Sequence, residues 1–121
     1  MNPANLPPQT LYRGDIWETV YHFGPITDSL THLPPGEPAL SCRMQFKNNK
    51  GELGYELNSV PTTGKGTITI VDAVNYEFDI PSQALPLEAG EWTWDFKTFE
   101  TDDCTGLSRT FYKSKVFISE E

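Results

Sequence analysis

The sequence predicts an all-β domain of packed antiparallel sheets, and three observations carry that expectation. Several stretches alternate apolar and polar residues with hardly an error: Leu40-Cys42-Met44-Phe46 against Ser41-Arg43-Gln45-Lys47, Val74-Tyr76-Phe78-Ile80 against Asn75-Glu77-Asp79, Trp92-Trp94-Phe96 against Thr93-Asp95-Lys97, and Ile68-Ile70 against Thr67-Thr69. Side chains alternate across a strand, so each stretch reads as a strand with one buried and one wet face. Ten prolines and nine glycines punctuate the chain, as short strands joined by turns require. The longest helical candidate is one turn, at Pro81–Leu85, where proline suits a first turn and Pro86 stops it.

In chain order, residues 1–10 are proline-rich and polar and read as an extended N-terminal arm. Residues 11–118 form a single β domain, and 119–121 a C-terminal tail. The first strand region runs from about Leu11 to Phe23, with Gly14 marking a bulge or a bend. Trp17, Thr19, Tyr21 and Phe23 share its core face, and Ile16, Glu18, Val20 and His22 the other. The turn-rich stretch 24–38, opened by Gly24-Pro25 and closed by Pro34-Pro35-Gly36-Glu37-Pro38, is long enough to cross between sheets. The strand at 39–47 turns at Asn48-Asn49-Lys50-Gly51, a sequence suited to positive φ, into a partner strand bearing Leu53, Tyr55 and Leu57. Strands follow at 67–71 and 74–80. A terminal hairpin of 91–99 and 107–118 flanks the polar turn 101–106. Seven or eight short strands without a long helix point to a β-sandwich.

A chain of 121 residues with 37% apolar and 12% aromatic content has material for one core built on large side chains. The net charge of −8 argues against nucleic acid, whose phosphates demand clustered Lys and Arg. No run has the apolar length needed to span a membrane as a helix, and Met1–Pro8 lacks the basic and apolar regions of a signal peptide. Folding in a cytoplasm is therefore expected, with Cys42 and Cys104 both free thiols.

Catalytic, cofactor and metal sites are not expected. His22 and His32 have no partner at metal-ligand spacing, and no phosphate-binding glycine loop or nucleophile elbow occurs. Carboxylates fall at outward strand positions (Glu77, Asp79, Asp95) or in the turn at Asp102-Asp103, where nothing protects a general acid. Arg13-Gly14-Asp15 matches an adhesion tripeptide, but its glycine has a structural use. Ile16 and Val20 stand opposite the aromatic face of their strand. Phe111 and Phe117 share a face with Lys113 and Lys115, whereas Tyr112, Val116 and Ile118 take the other. Ile16, Val20, Phe111 and Phe117 are thus the candidate subunit interface.

Leu11-Tyr12-Arg13-Gly14-Asp15-Ile16-Trp17, the glycine-led Gly66-Thr67-Ile68-Thr69-Ile70, the run from Phe78 to Leu85, Gly90-Glu91-Trp92-Thr93-Trp94-Asp95-Phe96 and the closing Lys115-Val116-Phe117-Ile118 occur in this order along the chain. Together these motifs resemble a family of small virion proteins of tailed phages, among them the N-terminal domain of siphophage upper baseplate proteins. It departs from the family pattern at Leu30-Thr31-His32 and at Ser114. The resemblance implies an immunoglobulin-like β-sandwich and a non-enzymatic structural protein of the tail, baseplate or fibre-adaptor region. Such a protein is made in the bacterial host cytoplasm, needs no cofactor, and docks to other virion proteins and to copies of itself. The alternatives are a capsid decoration protein, a carbohydrate-binding sandwich presenting Trp17, Trp92 or Trp94 as a stacking platform, and a metal-dependent hydrolase using Asp102 and Asp103.

Overall fold

The computed structural model describes residues 4–18, 21–26 and 38–120, and every regular element among them is a strand. In order these are β1 (Ala4–Asn5), β2 (Gln9–Tyr12), β3 (Ile16–Trp17), β4 (Tyr21–Phe23), β5 (Ser41–Lys47), β6 (Leu53–Asn58), β7 (Gly66–Thr67), β8 (Thr69–Asp72), β9 (Glu77–Ile80), β10 (Gln83–Ala84), β11 (Gly90–Phe99) and β12 (Ser108–Ser119). The large sheet runs β1-β12-β11-β5-β6-β7, with β2 also pairing β12; a smaller sheet runs β4-β9-β8, and β3 pairs β10.

The alternating stretches set the layers. Cys42, Met44 and Phe46 of β5 and Trp92, Trp94 and Phe96 of β11 all point inward and are buried. They meet the inward faces of the smaller sheets: Phe96 lies 4.9 Å from Phe23 and 5.0 Å from Phe78 between ring centroids, and Phe46 lies 5.8 Å from Trp17. Rings from β3, β4 and β9 therefore pack against rings of the large sheet, mostly edge-on or tilted, with Phe23 stacked on Tyr112 at 4.3 Å. The all-β expectation holds, with several sheets around one core.

The hairpin after β5 forms where the sequence places it. Asn48 Oδ1 accepts hydrogen bonds from the Lys50 and Glu52 backbone N–H groups, both at 2.9 Å, and Gly51 takes a φ of 80°.

Four expectations change. The N-terminal segment is not a free arm over its described part: Ala4–Asn5 and Gln9–Tyr12 pair in parallel with β12, and Ser114 Oγ donates to the carbonyls of Leu6 and Pro7 at 2.7 and 3.0 Å. Gly14, with a φ of 88°, is a turn rather than a bulge. There the chain leaves β12 and continues into β3, which pairs with β10.

The strand expected from residue 74 starts at Glu77. Asp72 Oδ1 accepts from the Val74 and Asn75 N–H groups, and this local bonding turns Ala73–Tyr76 out of the ladder. The Asn75 amide holds the Asp72 carboxyl below the usual carboxylate range. The one-turn helix at 81–85 is replaced by β10. The Gln83 side chain there bonds both the N–H and the carbonyl of Thr67 and so stands in for a strand partner.

Candidate interaction surfaces

Of the four candidate interface residues, three lie among the described residues, and two of those three are exposed. Ile16 is exposed (51%) at the start of β3, and Phe117 is half-exposed (38%) on the outer face of β12. Phe111 is buried and packs T-shaped on Tyr76 with 5.8 Å between centroids. The register explains this: Phe96 pairs Tyr112 but Lys97 pairs Thr110, so Phe111 is the extra residue of a β-bulge and leaves the expected alternation. Phe111 is therefore a core residue, and its place in an interface is withdrawn. Val20 lies outside the described residues.

Tyr12 was missed. It falls in the first strand region, whose alternation is read only after Gly14; pairing with β12 puts Thr10 and Tyr12 on the face that carries Phe117 and Ser119, and Tyr12 is 55% exposed. Tyr12 and Ile16 both line one open cleft of about 560 Å³ formed by residues of β2, β3 and the turn between them. Arg13 in the intervening turn bridges Glu88 at 2.8 Å and Glu120 at 2.9 Å. The Arg13-Gly14-Asp15 tripeptide is thus exposed in a turn, with its cation already engaged by two carboxylates.

Register also arranges charge. On the outer face of the large sheet, Lys115, Thr93 and Lys47 form one row across β12, β11 and β5; Lys113, Asp95 and Gln45 form the next; Lys97 and Arg43 a third. Glu91, opposite Phe117, approaches Lys115 at 3.6 Å. On the outer face of the smaller sheet the rows are His22-Asp79-Thr69 and Glu77-Asp72. One layer shows lysines to solvent and the other shows carboxylates.

The groups that could do chemistry are held in structural contacts. His22 Nε2 bonds Glu77 Oε2 at 2.9 Å, and His22 Nδ1 bonds Asp79 Oδ1. The Asp79 bond raises the His22 pKa, partial desolvation opposes it, and the Glu77 bond adds to the rise. Because the folded value exceeds the ordinary 6.5, this cluster stabilises fully below about pH 6.5, and its contribution fades as pH climbs through the raised value. The melting temperature of the native protein should exceed that of His22→Gln at about pH 5.5, and the gap should close by about pH 8.5. A gap that is constant or widens contradicts the assignment.

Glu56, buried in β6, accepts from Gln45 and Asn58 and bridges Lys65 at 2.8 Å. Burial pushes its carboxyl up, but the Lys65, Asn58 and Gln45 bonds outweigh it and the net displacement is downward. Asp103 accepts from the hydroxyls of Thr101 and Thr105, which close the turn between β11 and β12. Both cysteines are free, as expected. Burial pushes the Cys42 thiol up to about 12, and Cys104 Sγ rests 3.7 Å from the Cys42 carbonyl and 3.4 Å from Asn58 Oδ1.

All three tryptophans are buried: Trp17 and Trp94 almost completely, and Trp92 with its Nε1 donating to the Glu88 carbonyl at 2.8 Å. A sugar-stacking platform built on them has no exposed ring to offer. Tryptophan emission should accordingly be blue-shifted and indifferent to soluble sugars. Red-shifted emission quenched by a sugar would return the carbohydrate-binding alternative.

No family model matches the chain, and neither a curated protein nor a solved structure does.

Proposed function

We propose that this chain is a non-enzymatic structural subunit of a tailed-phage virion, docking to neighbouring virion proteins in the tail, baseplate or fibre-adaptor region. The observation that carries the reading is the pairing of a saturated aromatic core with apolar side chains left outside at Tyr12, Ile16 and Phe117. A ring-filled interior gives a rigid body, and the outward apolar groups give it surface to bury against a partner. The motifs that resemble small tailed-phage virion proteins point the same way.

The finer fold reading, an immunoglobulin-like sandwich, is supported by strand order. β12-β11-β5-β6-β7 follows the order G-F-C-C′-C″ of a variable-type sheet, and β4-β9-β8 follows B-E-D. The link between β4 and β11 that antibody domains make with a disulfide is here the Phe23–Phe96 ring contact.

Peptide mass spectrometry of gradient-purified particles tests the function. The reading expects peptides of this chain at a fixed ratio to the tail proteins. Their absence from infectious particles removes it.

A further inference from the structure

The two outer faces of this molecule carry opposite charge although the chain as a whole is strongly acidic, at −8. The outer face of the large sheet presents Lys47, Lys97, Lys113 and Lys115 with Arg43, against Glu91 and Asp95 and against Glu56, whose charge Lys65 meets at 2.8 Å. The outer face of the smaller sheet presents Asp72, Glu77 and Asp79, with His22 as its basic group. These rows are fixed at the backbone by ladder register, so although Lys115 meets Glu91 and His22 meets Glu77 and Asp79, the excess of each sign stays on its own face. Lysines gathered on one face of an acidic protein give it a strong dipole.

From this we infer that the lysine face of the large sheet is a docking surface for a second copy of the chain, which presents the carboxylate face of its smaller sheet. A second copy is the occupant the charges specify. It carries the complementary acidic rows on the same kind of flat, strand-built surface, so rows of opposite sign meet face to face. The two surfaces lie on opposite layers of one molecule, so the contact is head-to-tail. It leaves a free face at each end and propagates into a ring or a stack rather than closing as a two-fold dimer. Phe117, beside Glu91 at the end of the lysine rows, adds apolar area at the edge of the contact.

The inference rests on the reading of the chain as an assembly subunit, yet the two fail separately. Absence from particles removes that reading, whereas the experiment below concerns only this contact.

Sedimentation velocity of the full chain decides it, at about 0.02 M and about 0.5 M salt, where the Debye length falls from roughly 20 Å to about 4 Å. The expected result is concentration-dependent association at low salt that weakens about tenfold or more at high salt. Lys113→Glu/Lys115→Glu and Glu77→Lys/Asp79→Lys should each remain monomeric alone, because each then carries like charge on both faces. Their equimolar mixture should associate, because the first variant's native carboxylate face meets the second's native lysine face and the two reversed faces are complementary in turn. If the second variant does not fold, salt dependence of the native protein and of Lys115→Glu still decides. A native protein that stays monomeric at low salt, or association indifferent to salt and to charge reversal, overturns the contact.

Discussion

Gly24→Ala is expected to cost the fold about 3 kcal/mol or more, combining backbone strain with steric displacement. Gly24 has a φ of 86°, a region where an L side chain is strained by roughly 1–2 kcal/mol. A Cβ built there would lie 2.0 Å from the Tyr76 carbonyl oxygen and 3.0 Å from its carbon, and both are backbone atoms that no rotamer change can move. Relief would have to shift the turn at Ala73–Tyr76, which Ile26 holds by donating to the Asn75 carbonyl at 2.8 Å. That turn also seats Tyr76, a buried ring against Phe78 and Phe111.

Gly64→Ala is the internal control. Its φ is 83° but a Cβ there meets nothing within 4 Å, so only the conformational cost of about 1 kcal/mol should appear. Urea unfolding midpoints of the two variants test the difference. Equal shifts would mean the Gly24–Tyr76 contact does not constrain the fold.

Phe96→Ala should cost about 3–5 kcal/mol, the range for truncating a fully buried aromatic residue. Phe96 is completely buried at the centre of the packed layers. Its ring centroid lies 4.9 Å from Phe23, 5.0 Å from Phe78 and 6.1 Å from Tyr112, so β4, β9 and β12 all lose a partner together. Phe117→Ala removes the same side chain from the outer face and should change stability by less than about 0.5 kcal/mol. Equilibrium denaturation with both variants measures the contrast. A small effect at Phe96 would show that the sheets do not share one core.

The longest strands were legible because burial imposes a period of two on them: β5, β11 and most of β12 alternate as their sequences promise. Their neighbours were harder. Val74 and Tyr76 alternate correctly with Phe78 but belong to a turn, because Asp72 offers the backbone a local partner that hydrophobic pattern does not register. Gln83 likewise supports an extended segment through its amide where proline and alanine suggest a helical turn.

The candidate surface divides in the same way. Exposure of Ile16 and Phe117 follows from strand parity. Phe111 could not be placed that way, since a bulge shifts parity without a signature in composition, and the face of Tyr12 is set by parallel pairing with the chain's other end, which local alternation does not announce. The lysine rows arise only from register: Lys47 and Lys115 are far apart in sequence and become neighbours of Thr93 on either side.

Cross-linking mass spectrometry on intact purified particles tests the central claim, that this protein works by docking within a virion, most directly. The expected result is links from its lysines to tail or baseplate proteins, together with links between copies. Particles in which the chain is absent, or in which it is present but links to no virion protein and to no second copy, would contradict the claim.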